Sequence, residues 1–537
     1  MVYIFFNETF KKICFFLFGI ALLYFGIRLL HYHYLLITHP YPLEYREGSI
    51  LLTTDLLLKG ENPYALKNMP VAVNVYGIFY NLLVYPIAGI FGVNFLVHRA
   101  IAGFFIVFTC VLLLIALRRY MVDALYGISA ALILYASLLY FITPLARPDG
   151  LGVFLFLLSI LIVHIMEFSA WSMVISIFLG IIAFYTKPYF VLSIPLVTIY
   201  LFLFVTKKKG LFYGATAFAA LASTAFIIDH LYETYFLNVI IIHLNSVNSD
   251  YKWLWKQIIY FWNMNYGLIL AGFVFLCLSW LDTLLTAPWK NTGFKSVWGK
   301  LIEKVNILNV NKPLINADFP LSLYCLMVFS VVFYFKMGRH GGNWMTYAYQ
   351  LVSPFLLLYI YVLFNMPLLN PRLDGFRRNW SYILIIPLVC LTLYSLFWSL
   401  PIGSRMKPSP DWEHVENIVL SHKNILNSPV VVSFLVEQNK QVYDSGQTMY
   451  FIDAKHSFRW LDTWVPTNSE IRDIQKNYTN SLMVEIQSKK FDVIMIDDKI
   501  QASYLKDLPT FYFLSETIKV CMFHTEQYIN LGVWYPK

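Results

Sequence analysis

The stretch Pro42-Leu43-Glu44-Tyr45-Arg46-Glu47-Gly48 sets three charges directly behind the apolar run 13–37, in a chain otherwise poor in charge. Carboxylates held at a membrane surface are costly, and their presence there marks a functional position. A second stretch, Ala146-Arg147-Pro148-Asp149-Gly150, repeats the arrangement, with an arginine and an acid between two apolar runs. Long apolar segments joined by loops that concentrate the ionisable residues imply a polytopic helical membrane protein.

Composition agrees. Hydrophobic residues make up 58% of the 537 and charged residues 13%, against about 25% charge in a soluble domain. Residues 1–400 hold 26 Lys+Arg against 15 Asp+Glu, a net +11, whereas residues 401–537 hold 14 against 16, a net −2. The basic excess thus belongs to membrane loops and argues against a nucleic-acid-binding surface. Of the six cysteines only Cys521 lies in the tail, so no disulfide forms within the tail, and no CxxC or zinc-type spacing occurs. The first apolar run lacks a small-residue cleavage site and reads as a retained span.

About eleven segments have the length and apolarity of a transmembrane helix, roughly 17–25 residues: 13–37, 97–117, 124–142, 150–167, 170–186, 188–206, 211–229, 266–286, 319–337, 346–364 and 381–400. With a cytoplasmic N-terminus, Arg118-Arg119, Lys207-Lys208-Lys209, the lysines of 287–318 and Arg372, Arg377 and Arg378 all fall in cytoplasmic loops, as the positive-inside rule requires. The same count puts the long first loop 38–96, the loop 143–149, Lys187, the loop 338–345 and the C-terminal tail together on the outer face. Within the first loop, Val75 to Phe91 reads as an amphipathic helix lying in the interface rather than a twelfth span. Two domains are expected: a membrane domain, 1–400, and an extracytoplasmic α/β domain, 405–537. In the latter, Pro429 to Leu435 and Phe491 to Asp497 read as buried strands and 469–489 as the helix between them, a unit with parallel strands.

Several side chains carry possible chemistry, each with a plainer reading beside it. Glu44 and Glu47 face the same way if helical, and either carboxylate suits a general base or is a solvated juxtamembrane charge. Asp149 is a third candidate acid; it also suits a helix N-cap. Lys187, alone between two apolar runs, either snorkels or pairs with an anionic phosphate; Arg147 is a further candidate for that phosphate, as are Arg339 and His340 in the glycine-rich loop Arg339-His340-Gly341-Gly342-Asn343, whose plainer reading is a turn between spans. Trp253, Trp255 and Trp262, in a loop ahead of the span 266–286, read as an interfacial belt or a sugar-stacking surface. Glu44, Glu47 and Asp149 are oxygen ligands for a possible divalent cation, but no His/Cys set accompanies them.

The words GENPYA (60–65), NVYGIFYNLLVYPIAGIFG (74–92), HRAIAGFF (98–105), RPDGLGVFLFLLSI (147–160), TKPYFVLSIP (186–195), GGNWMTYAYQLVSPFLLL (341–358) and KKFDVIMID (489–497), taken in this order, resemble the membrane-embedded GT-C glycosyltransferases. Within them the chain is most similar to bacterial relatives of the protein O-mannosyltransferase superfamily, glycosyltransferase family 39. The resemblance implies a polyprenyl-phosphate-linked sugar donor and transfer to a lipid, glycan or protein acceptor at the outer face of the cell membrane. The family's Asp-Glu pair in the first outer loop corresponds here to Arg46-Glu47, which makes Glu47 the first candidate base and Glu44 the second. Asp149 matches the acid of the second outer loop. A donor of this kind carries its own leaving group, so no nucleotide-binding motif is needed, and none is present.

Two other classes fit a polytopic chain: a flippase for a lipid-linked glycan, and a non-catalytic scaffold. Carriers commonly show internal repeats and broken helices at mid-membrane; no repeat is evident here, and the candidate residues lie in loops. The charge pattern makes a topological prediction. A reporter active only in the cytoplasm, fused after residue 537, will be silent; activity there would overturn the shared-face assignment.

Overall fold

The computed structural model describes residues 8–119, 124–141, 143–232, 234–242, 251–286, 357, 386–400, 410–446, 448, 468–497, 505, 507–522 and 527–537. The membrane part comprises α1 (Glu8–Thr38), α2 (Glu47–Leu58), α3 (Phe79–Phe91), α4 (Phe95–Arg119), α5 (Ala124–Phe141), α6 (Asp149–Ile165), α7 (Ala170–Thr186), a tight turn Pro188–Leu192 leading into α8 (Ser193–Tyr200), α9 (Lys207–Leu231) and α10 (Tyr251–Thr286), with α11 (Ile386–Ser399). Among the described residues four helical segments are long and apolar enough to cross a membrane: Thr9–Thr38, Phe95–Arg118, Pro188–Val205 and Lys207–Leu231. The expected spans 124–142, 150–167 and 170–186 appear as α5, α6 and α7, each 17 or 18 residues long, about 26 Å at 1.5 Å per residue. The expected span 319–337 lies outside the described residues, as does 346–364 apart from the buried, helical Leu357.

Burial is inverted relative to a soluble protein. Phe16, Phe178, Phe212, Phe218 and Phe226 stand exposed on the outside of the bundle, a surface suited to lipid. On α5, by contrast, Leu134, Ala136, Leu138 and Leu139 are fully buried. That helix is wedged against α1 and α4.

Helix boundaries follow local chemistry. Pro188 disfavours helical backbone at the residue before it, and Lys187 is extended, with φ −160° and ψ 123°. This separates the two spans that the sequence divides only at Lys187-Pro188. α3 is 13 residues long, about 20 Å, too short to cross a hydrocarbon layer of about 30 Å. Its Tyr80, Asn81, Val84 and Ala88 are buried while Ile87, Ile90 and Phe91 are exposed, the two-faced pattern expected of an interfacial element. The aromatic segment before the span 266–286 is helical rather than a loop: α10 runs unbroken from Tyr251, with Trp255 and Trp262 exposed on it.

The tail contains α12 (Pro410–Ser421), α13 (Val432–Glu437), α14 (Asn468–Gln487), α15 (Leu508–Phe511) and strands β1 (Ile425–Leu426), β2 (Val493–Asp497), β3 (Tyr512–Met522) and β4 (Gln527–Pro536). The sheet order is β1-β2-β4-β3. β1 and β2 are parallel, and β4 is antiparallel to both β2 and β3. The expected strand at Phe491–Asp497 and the helix at 469–489 are present. The expected strand at Pro429–Leu435 is not: Pro429–Val431 form a 3₁₀ turn and Val432–Glu437 the helix α13. A short, wholly apolar run has no periodicity to separate strand from helix. The strand beside β2 is supplied instead by Ile425-Leu426, and α13 leaves the sheet to pack on α2.

That packing fuses tail and membrane part. Leu51, Leu52, Phe95 and Ala146 share one buried core with Trp412, Val415, Val430, Val432 and Phe434. The approach is close enough that a Cβ on Gly48 would lie 2.7 Å from Val432 Cβ.

Candidate active site

The start of α2, the start of α4, the loop before α6 and the residue after α7 meet at one end of the bundle, under the tail. The basic termini at Arg119 and Lys207 lie at the other ends of their spans, and Lys209 donates to the Phe168 carbonyl there.

The centre of this region is an ion pair between Arg99 and Glu47, both 0% exposed. Arg99 Nε donates to Glu47 Oε1 at 2.9 Å and Nη2 to Oε2 at 2.8 Å. The same guanidinium donates to the His39 and Tyr41 carbonyls and lies over the Phe95 ring, 4.3 Å from its centroid. Glu47 also accepts from the backbone N–H of Leu43 at 2.7 Å, Glu44 at 3.3 Å and Ala146 at 2.7 Å. Burial alone would raise the Glu47 pKa. The Arg99 charge and hydrogen bonds, with the backbone donors of Ala146 and Leu43, outweigh it and hold the carboxyl below the usual range. With five hydrogen bonds already accepted, this carboxylate has little capacity left for a proton from an acceptor hydroxyl.

A second cluster lies beside the first. Lys187 Nζ donates to Asp149 Oδ1 at 2.6 Å, Arg147 Nε is 3.1 Å from Asp149 Oδ2, and Arg147 Nη1 donates to Glu44 Oε2 at 3.3 Å. Arg46 Nε lies 3.9 Å from Glu44 Oε1, and the Arg46 N–H donates to Glu44 Oε2. Asp149 is the first residue of α6, the cap position falls on Pro148, and no side chain caps the helix. The capping expectation for Asp149 therefore gives way to ion pairing. Lys187 does not snorkel; it is turned inward, with the Tyr76 and Tyr189 ring centroids 4.9 and 5.1 Å away. Burial lowers the Lys187 pKa to about 8, partly opposed by Asp149 and reinforced by Arg147. Tyr76, buried beside Arg147, has its hydroxyl pKa pushed up by burial. A Cβ on Gly77, the next residue, would overlap the Tyr185 carbonyl, so only glycine lets this strand of the loop lie against the end of α7.

Glu44, Glu47, Arg147, Asp149 and Lys187 are thus brought together. Arg339 and His340 lie outside the described residues. Arg99 went unnoticed in the sequence because it falls inside an apolar run, although an arginine within a span is itself a signal. Each carboxylate of the cluster faces Arg or Lys, and among the described residues no group of three or more His, Cys, Asp or Glu gathers as ligands would.

No protein-family model and no curated protein matches the chain. Among solved structures, the crystal structure of ArnT from Cupriavidus metallidurans bound to undecaprenyl phosphate is similar over 95% of this chain and 97% of that one, with a TM-score of 0.52 and 11% identity. The chain therefore has the overall fold of that protein, a membrane-type helical part with a small C-terminal sheet.

The Arg99–Glu47 geometry makes a stability prediction. Removing one partner of a buried pair costs about 3–5 kcal/mol. Glu47→Gln and Arg99→Met will each lower the unfolding midpoint in detergent sharply. A Glu47→Gln protein that melts like the wild type would show the pair to be dispensable.

Proposed function

We propose that the chain is an integral membrane glycosyltransferase that moves a sugar from a polyprenyl-phosphate donor to a hydroxyl acceptor at the extracytoplasmic face. The N-terminus is then cytoplasmic and the tail external. The observation that carries this reading is a convergence of cations: among the described residues Arg46, Arg147 and Lys187 meet at Glu44 and Asp149, and only Arg46, at 19%, retains appreciable exposure. Cations gathered at one end of a membrane bundle suit the phosphate of a lipid-borne donor. The membrane fold, and its likeness to a protein crystallised with undecaprenyl phosphate, support a lipid-borne donor.

Roles follow from acceptor capacity. Glu44 Oε1 accepts no hydrogen bond among the described residues, while Oε2 is held by Arg147 Nη1 and the Arg46 N–H. Glu44 is therefore the base, and Glu47 the group that fixes its loop. The acceptor oxygen attacks the anomeric carbon as its proton passes to Glu44. The new C–O bond forms as the bond to the phosphate oxygen breaks, with inversion. The electron pair leaves on polyprenyl phosphate, whose added negative charge Lys187 and Arg147 stabilise. Asp149 holds both cations in place.

Two measurements test this. Glu44→Gln will reduce transfer from a radiolabelled polyprenyl-phosphate sugar in proteoliposomes by about 10²–10⁴-fold with donor binding retained; full activity would remove Glu44 from the role. Lys187 is charged below its folded pKa of about 8, so donor affinity will be greatest below pH 8 and fall as pH rises through it. Lys187→Arg will abolish that fall, because arginine does not titrate there. Unfolding does not account for the effect: an unfolded lysine keeps its proton to about 10.4, so between these values rising pH favours the folded state. A pH-independent wild-type affinity would exclude Lys187 as the phosphate ligand.

A further inference from the structure

We infer that the tail is a working part of the transfer site and that Trp412 is a positioning residue, gripping Tyr41 and through it setting the Arg99–Glu47 pair and the loop that carries Glu44. This rests on the transfer reading above but is tested separately from it.

The contacts form a continuous path. The Trp412 ring, 1% exposed, stacks on Tyr41 with centroids 5.9 Å apart and planes 15° from parallel. Phe434 completes the grip, 6.2 Å from Tyr41 and 6.1 Å from Trp412. Trp412 is itself anchored, since its Nε1–H donates to the Cys521 carbonyl on β3 at 3.2 Å. Tyr41 passes the constraint on through its backbone: its carbonyl accepts Arg99 Nη2 at 2.8 Å. Arg99 then orients Glu47, and Glu47 ties down the N–H groups of Leu43, Glu44 and Ala146. Both loops that carry the second cluster are thereby set from one point. Phe95, under the Arg99 guanidinium, belongs to the same core as the tail, so the tail supports the pair from two sides. A small displacement of a reacting group, about 1 Å, is enough to lower a rate about 10²-fold.

The test compares Trp412→Ala, Trp412→Phe and Tyr41→Leu with Leu482→Ala. Leu482 lies in a separate tail core with Ile486 and Phe491 and serves as a control for loss of tail stability. Amide hydrogen exchange by mass spectrometry is followed in peptides covering 40–48 and 144–148 of the full-length protein. Transfer kinetics with a polyprenyl-phosphate sugar are measured below the melting temperature. Trp412→Ala and Tyr41→Leu will speed exchange in both peptides about tenfold or more, because the amides bound to Glu47 open locally. They will also lower kcat by about 10²-fold with little change in donor KM. Trp412→Phe, which keeps a ring on Tyr41, will restore most of both. Leu482→Ala will lower the melting temperature without either effect. The proposal is overturned if exchange and kcat in Tyr41→Leu match the wild type, or if Leu482→Ala reproduces the changes. A wild type that transfers no sugar from any such donor defeats the glycosyltransferase reading instead, and the exchange data still decide whether Trp412 sets the loops.

Discussion

Everything at the loaded end of this bundle depends on one buried ion pair. Moving a carboxylate and a guanidinium out of water costs several kcal/mol per ion, and mutual attraction offsets this only with good geometry and full hydrogen bonding. Arg99 and Glu47 have both: two parallel bonds between them, two backbone carbonyls on the arginine side and three backbone N–H groups on the glutamate side. Those backbone groups come from the segment between α1 and α2 and from the loop before α6, and Arg99 itself comes from the start of α4. Three stretches distant in sequence are therefore fixed by a pair whose own polar needs are met. Such a pair stabilises a geometry better than it performs proton transfer.

The neighbouring cluster is wired differently. Glu44, Arg46, Arg147, Asp149 and Lys187 are also largely buried, and among the described residues three cations meet two carboxylates. Lys187 holds its proton less tightly than a free lysine because burial opposes its charge. A saturated pair that sets geometry and a cation-rich group beside it are different devices. Placing them one residue apart, at Arg46 and Glu47, lets the first determine the shape of the second.

Much of this was legible beforehand. In a chain so poor in charge, Glu44, Glu47, Arg147, Asp149 and Lys187 stood out at the ends of apolar runs, and those are the residues that converge. What failed to show was partnership. Nothing local in the sequence tells that Glu47 is saturated while Glu44 Oε1 accepts no hydrogen bond among the described residues, because three of the five donors to Glu47 come from residues 99 and 146. Arg99 was hidden by the apolar residues around it. In the tail, Pro429 to Leu435 looked like a strand because a fully buried run has no period. The β3–β4 hairpin did carry a legible period of two, with Ile518, Val520 and Met522 and then Ile529, Leu531 and Val533 facing the core, and it was the alternation that deserved the strand reading.

The fit of Val432 against Gly48 also has a temporal side. The two residues are 384 positions apart, and at roughly 5–20 residues per second about 20–80 s of synthesis separate them. Throughout that interval Leu51, Leu52, Phe95 and Ala146, one face of the shared core, lack the tail residues that pack on them. The nascent membrane part must wait with an apolar surface open at the very end where its charged residues gather. Closure of the shared core over this end of the bundle therefore waits for the tail, and a product that stops short of it bears every charged group of the cluster but lacks its roof.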